Sequence, residues 1–196
     1  MTTHNKSDYQ DPQKPELPVY EPEQFPEEEL TPNSIDDVDA EYERAGAFFA
    51  ENGCNVRWRV AKSLLTLRDE VNEAAPNRSK ASDGTIGDAA HCRRRSDHNP
   101  WVRDGNIGVV TAMDITDDPS DGCSANDIAE AIRRNRDRRV KYIIWNRRIA
   151  NSSAIGGTPA WEWRTYTGSN PHTQHIHISV KSDKPNYDST VDWQVL

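Results

Sequence analysis

His175-Ile176-His177-Ile178-Ser179-Val180 alternates polar and apolar side chains without a break. Successive residues of a β-strand point to opposite faces of its sheet. The stretch therefore reads as a strand that turns two imidazoles and a hydroxyl to one side and Ile176 and Ile178 to the other. Such a strand needs neighbours to pair with and helices to cover its apolar face.

The flanking sequence supplies both. Ile107 to Ile115 is apolar and β-branched and reads as a buried strand ending at Asp114. Arg139 to Trp145 is a second such run, with Asn146-Arg147-Arg148 turning away from it, and Trp161 to Tyr166 alternates like a strand. Val60, Leu64, Leu67 and Val71 recur at helical spacing and Pro76 ends that helix. Ser124 is a good N-cap for a helix that carries Ile128 and Ile132 inward. Asp36-Asp37-Val38-Asp39 is expected to cap a short helix through Tyr42, Ala45, Phe48 and Phe49, stopping at Gly53. Residues 77–88 and 117–122 are rich in turn formers and read as loops. The expected fold class is α+β: a small, mainly antiparallel sheet with helices packed on one side.

Composition divides the chain. The first 43 residues hold thirteen Asp/Glu against two Lys/Arg and six of the twelve prolines. Their net charge of −11, in a chain of −8, leaves the remainder at +3. So acidic and apolar-poor a stretch buries too little surface to offset its ordering entropy. Residues 1–34 are therefore expected to be a disordered acidic, Pro-rich tail, which by composition alone is as well explained as a solvating extension. Residues 35–55 are expected to form an N-terminal helical extension. No basic and apolar leader follows Met1 and no run of eighteen apolar residues occurs, so neither a signal peptide nor membrane insertion is expected. Cys54, Cys92 and Cys123 are too few for a disulfide framework. A Cys92–Cys123 bridge is open to the sequence, but three reduced thiols are the safer reading. The basic run Arg133 to Arg139 reads as a helix C-terminus, where cations are favoured, rather than as a nucleic-acid surface.

Five of the six histidines fall in two clusters. The first is His91 with Ser96-Asp97-His98, followed by Ala112-Met113-Asp114; the second is His172 with His175-Ile176-His177. A His and an Asp from one region and a His-x-His from a later strand can give three ligands to Zn²⁺, leaving the fourth position for water. Taken singly, His175 and His177 could be ordinary strand histidines. His91 reads as structural, and His172 as either a rim residue or a support for the site. Asp117, Asp118 and Asp121 look like a calcium loop only superficially, since no bidentate Glu follows at the required spacing.

Together, Ser96-Asp97-His98, Ala112-Met113-Asp114 and His175-Ile176-His177 resemble the M15 family of zinc metallopeptidases. These are the D-alanyl-D-alanine carboxypeptidases and L-alanyl-D-glutamate endopeptidases, grouped with the hedgehog signalling domain. The stretch from Trp58 to Trp193 more closely resembles the phage and prophage members, with Ser-Asp-His-Asn-Pro, Ala-x-Asp-Ile-Thr and Tyr-Thr-Gly-x-Asn-Pro-His-Thr-x-His-x-His. The resemblance implies a hedgehog-like peptidase domain over residues 56–196 and Zn²⁺ held by His98, Asp114 and His177. It implies catalysis assisted by His175 and a substrate carboxylate held by Ser96; Arg95 or Arg164 is a candidate for the matching positive charge, which no motif assigns. It further implies cleavage of an amide in the peptide stem of peptidoglycan by a monomer made in the cytoplasm, as endolysins are, and acting at the cell wall after release.

Two departures stand out. His98 and Asp114 are sixteen residues apart, and Trp101 to Asn106 reads as an inserted loop. Gln174 occupies the position, three before the last His, where many relatives carry an acidic base. Gln cannot exchange a proton near neutral pH. Either His175 takes that role or the domain is a zinc-containing module that binds a wall peptide or a protein without cutting it. A nuclease is the remaining alternative, since Asp97-His98-Asn99-Pro100 looks like the opening of a His-Asn-His motif. No later His follows at the spacing that motif needs, and the charge does not suit a phosphate surface.

Overall fold

The computed structural model describes residues 57–85 and 96–196. The tail at 1–34, the helix expected within 35–55, and His91, Cys54, Cys92 and Arg95 lie outside the described residues. In chain order the elements are β1 (Trp58–Val60), α1 (Lys62–Ala74), β2 (Val102–Asp104), β3 (Ile107–Val110) and β4 (Ala112–Thr116). A 3₁₀ turn at Pro119–Asp121 then leads to α2 (Ala125–Asn135), β5 (Val140–Trp145), β6 (Arg148–Asn151), β7 (Arg164–Thr165), β8 (His175–Val180) and α3 (Lys184–Tyr187).

Five strands form an antiparallel sheet in the order β4-β8-β5-β6-β7. A smaller sheet, β1-β3-β2, joins β1 to β3 in parallel and β2 to β3 antiparallel. The alternation of β8 sorts its residues as the sequence predicts. Ile176 and Ile178 are fully buried in the main core with Met113, Ile115 and Ile143, and with Leu64, Leu67 and Val71 of α1 and Ile128 and Ile132 of α2. Each of these side chains contributes on the order of 1.5–3 kcal/mol by leaving water. The opposite face of the sheet carries Asp114, His175, His177 and Ser179.

Local signals explain the element ends. The Ser124 hydroxyl accepts from Asp127 N–H and opens α2, and Arg133 and Arg134 sit in its last turn as the helix dipole favours. Arg133 pairs with Glu130, and Arg139 with Asp137, so these two members of the basic run serve local ion pairs. Asn146 and Arg147, both at positive φ, make the two-residue turn between β5 and β6. Cys123 is a buried free thiol that donates to the Thr116 carbonyl. No helix among the described residues is long and apolar enough to cross a membrane.

The structure corrects four sequence expectations. Val60 belongs to β1, and the helix starts at Lys62. The segment 107–115 is two strands, because Thr111 passes the chain from one sheet to the other. Its N–H donates to the Asp97 carbonyl at 3.1 Å, and its own carbonyl accepts from Val180 N–H at 2.8 Å. The inserted loop is a hairpin, β2–β3, turning at Gly105. Trp161 adopts φ 67° and leaves the strand pattern, so only Arg164 and Thr165 pair with β6.

Candidate metal centre

Register brings the second and third motifs together. Asp114 on β4 is the direct cross-strand partner of His177 on β8, and Thr116 that of His175. Residues directly opposite in an antiparallel pair share a face, so the Asp114 carboxylate meets the two imidazoles. His98 arrives from the Ser96–Pro100 turn, whose Asp97 carbonyl accepts from Thr111 N–H between β3 and β4. That turn packs on Gly108, where a Cβ would come within 2.6 Å of the Pro100 carbonyl oxygen, so no larger residue fits without displacing it.

Three atoms then converge. His177 Nδ1 is 3.0 Å from Asp114 Oδ1, His98 Nε2 is 3.1 Å from His177 Nδ1, and His98 Nε2 is 3.3 Å from Asp114 Oδ1. Tetrahedral Zn²⁺ with bonds near 2.0–2.1 Å places its ligand atoms about 3.3 Å apart. The donor chemistry fits as well. His98 Nδ1 lies 3.1 Å from the Thr85 carbonyl oxygen, which can only accept, so Nδ1 carries the proton and Nε2 offers a lone pair. Thr85 is held close because Gly84 bridges Asp114 through two backbone hydrogen bonds, and because Asp83 accepts from Thr116 N–H and Oγ–H while pairing with the buried Arg78. A lone pair and a carboxylate oxygen at van der Waals contact, flanked by a second imidazole nitrogen, suit a cation.

Asp114 stays ionised here. Burial alone would raise its pKa, but His98 and His177 beside it hold the carboxyl well below the usual range. Its second oxygen, Oδ2, is 3.7 Å from His175 Nε2. Among the described residues neither ring nitrogen of His175 has a hydrogen-bond partner, although both are buried. Burial also lowers the His175 pKa, so the ring is neutral at physiological pH and its lone pair is open to a proton.

His172 completes the group. Burial pushes its pKa down to about 3. It sits at φ 49°, a conformation few non-glycine residues adopt. The β5–β6 turn clamps it there: Asn146 N–H donates to the His172 carbonyl and Arg147 N–H to the Pro171 carbonyl, each at 2.9 Å. Its Nδ1–H donates to the Asn170 carbonyl at 2.7 Å, which leaves Nε2 unprotonated. Its ring lies edge-on to His175 at 5.0 Å and to His177 at 5.4 Å. Asp114, His172 and His175 thus make a second, looser metal-compatible group that shares Asp114 with the first.

The other expected site residues are placed differently. Ser96 Oγ accepts from His98 N–H at 3.3 Å, so it shapes the turn that presents His98. Arg164 bonds Asn151 Oδ1 at 3.1 Å and lies in one register row with Asp114, His177, Ile144 and Ile149. It is therefore on the same face as His177 but three strands away, roughly 14 Å by strand spacing. Gln174 is exposed and precedes β8, its carbonyl accepting from Asp117 N–H. Tyr142, which no sequence signal marks, stacks on His177 at 5.5 Å with the rings 11° apart. Thr85, Lys141 and Tyr142 were not legible as site residues, since nothing in a single sequence ties them to the histidines.

Comparison of the chain with known protein families, with curated proteins and with solved structures finds no match.

Proposed function

We propose that this chain is a zinc-dependent peptidase that hydrolyses an amide in the peptide stem of bacterial peptidoglycan. The observation that carries the reading is the triangle of His98 Nε2, Asp114 Oδ1 and His177 Nδ1, with the unpartnered nitrogens of His175 beside Asp114 Oδ2. Zn²⁺ held by those three atoms would polarise the scissile carbonyl and acidify the attacking water. The chain's own groups supply the rest. His175, neutral and close to the carboxylate, takes the proton of the water as its oxygen attacks the carbonyl carbon, then returns it to the leaving nitrogen as the C–N bond breaks. Asp114, kept ionised, offsets the positive charge that develops on His175. His172, fixed and neutral, walls the site.

The substrate class rests on the resemblance of the three motifs to the M15 peptidases. Ser96, by that resemblance, would help hold a stem-peptide carboxylate, and Arg164, on the site face, or Arg95 would offer the matching cation. On this reading the protein acts on the wall as a monomer, after release from the cytoplasm. Gln174 supports a second reading, a non-catalytic zinc-containing module that binds a wall peptide. The exposure of Gln174 weighs against it, because the side chain that approaches Asp114 Oδ2 is that of the next residue, His175.

The test is purified peptidoglycan incubated with zinc-loaded protein, wild type or His175→Ala, with products read by mass spectrometry. A peptidase releases stem peptides with a new terminus, and His175→Ala abolishes release while keeping its zinc. A binding module leaves muropeptides intact and retains them equally with either protein.

A further inference from the structure

Behind His177, on the side away from the triangle, lies a buried chain of polar groups that the reaction does not use. His177 Nε2 is 3.0 Å from Ser179 Oγ, two residues along the same strand face. Ser179 is fully buried and its hydroxyl also hydrogen-bonds the Asp97 carboxylate. Asp97 is 7% exposed, and both of its oxygens are met by Lys141 Nζ, at 3.1 and 3.2 Å. Lys141 reaches them from a bulge: Val140 pairs with Val180 and Tyr142 with Ser179, so Lys141 is the extra residue on β5. Bulges near functional sites re-aim a side chain in this way.

The proton count decides what the chain does. A carboxylate only accepts, so the single Ser179 proton goes to Asp97. The Ser179 oxygen is then left to accept, and it faces His177 Nε2. Asp114 Oδ1, 3.0 Å from His177 Nδ1, competes with it for the ring proton; with the proton on Nε2, bonded to Ser179, His177 offers its Nδ1 lone pair to a cation between His98 and Asp114. If Asp97 were neutral or absent, Ser179 could instead donate to Nε2, and His177 would turn an N–H toward the triangle.

We infer that Asp97, held by Lys141, is a positioning residue that acts through Ser179 to fix His177 in its metal-binding tautomer. The inference rests on the proposed metal centre and deepens it: the Asp of Ser96-Asp97-His98 serves the opposite ligand, while its neighbour His98 is itself a ligand. Partners of this kind outside the ligand shell typically change metal affinity 10–100-fold.

Two readouts test it without any peptide substrate. Zinc affinity is measured by chelator competition for wild type, Asp97→Asn, Ser179→Ala and Ser179→Thr, and the His177 Nε2–H is followed by NMR in the zinc-loaded proteins. Asp97→Asn and Ser179→Ala are expected to weaken zinc binding about 10–100-fold. The Nε2–H should be protected from exchange in wild type, labile in Ser179→Ala, and restored with affinity in Ser179→Thr, which keeps the hydroxyl. Ser179→Ala removes one buried oxygen and leaves the Asp97–Lys141 pair, so it decides the matter even if Asp97→Asn does not fold. Wild-type affinity and an unchanged Nε2–H in Ser179→Ala would overturn the relay and leave the peptidase reading standing. A wild-type protein that binds no zinc would overturn both. A relay that behaves as expected in a protein that cuts no peptidoglycan overturns the peptidase reading alone.

Discussion

Asp114 and His177 are direct cross-strand partners on β4 and β8, and the carboxylate Oδ1 lies 3.0 Å from His177 Nδ1. One oxygen of Asp114 therefore belongs to the metal-compatible triangle, and the other faces His175 at 3.7 Å. Asp114→Asn keeps the shape and removes the charge. Since partners outside the ligand shell already change affinity 10–100-fold, losing this ligand is expected to weaken zinc binding by more than about 100-fold. Chelator competition measures it.

His175→Ala separates chemistry from metal binding. Loss of a general base typically lowers turnover by about 10²–10⁴. The variant is expected to lose stem-peptide cleavage to that extent while metal analysis finds the same zinc content as wild type. Joint loss of both would make His175 a ligand.

His172 is tested by two substitutions that differ in backbone tolerance. Asn accepts the left-handed conformation far better than a β-branched residue does. His172→Asn is expected to fold with near-native stability and to lower activity. His172→Val is expected to destabilise the fold by about 1–3 kcal/mol through the strained φ of 49°. Urea titration of the two variants measures the difference.

Metal should also stabilise the fold, because the triangle joins three segments distant in sequence. Zinc at about 1,000 times its Kd adds roughly 4 kcal/mol, which in a domain of this size raises Tm by roughly 8–16 °C. Thermal melts with zinc and with chelator should differ by that amount, and melts of Asp114→Asn should not.

Away from the site, Glu130 ties α2 to the Trp163 turn by accepting from Trp163 Nε1 at 2.7 Å and from Arg133 at 2.8 Å. Burial would raise its pKa, but those two donors hold it below the ordinary value of 4.5. A carboxyl with a lowered folded-state pKa contributes stability above its unfolded value and loses it as pH falls through the folded one. Glu130→Gln is expected to cost about 0.5–1 kcal/mol at pH 7, after solvent screening, and progressively less below about pH 4.5. A deficit that persists at pH 3 would assign the effect to packing.

Much of this was legible because period and register carry it. The alternation of His175 to Val180 placed the histidines on one face and the isoleucines in the core, as observed. Ser124 announced α2. Thr111 was not legible as a break, because the run from Ile107 to Ile115 has no Pro and Thr111 is itself a β-branched strand former; the break is made by Asp97 and Val180, which bond its backbone from elsewhere in the chain. Trp161 left its strand for the same kind of reason: a left-handed turn whose N–H is taken by the Asn151 carbonyl. The bulge that brings Lys141 to Asp97 depends on how β5 pairs with β8, and pairing is not written in either strand alone.

The most direct test is a crystal structure of the zinc-loaded protein with anomalous data collected across the zinc edge. The account predicts one strong peak within about 2.0–2.2 Å of His98 Nε2, Asp114 Oδ1 and His177 Nδ1. A peak on His172 and His175 instead, or none at the triangle, would contradict it.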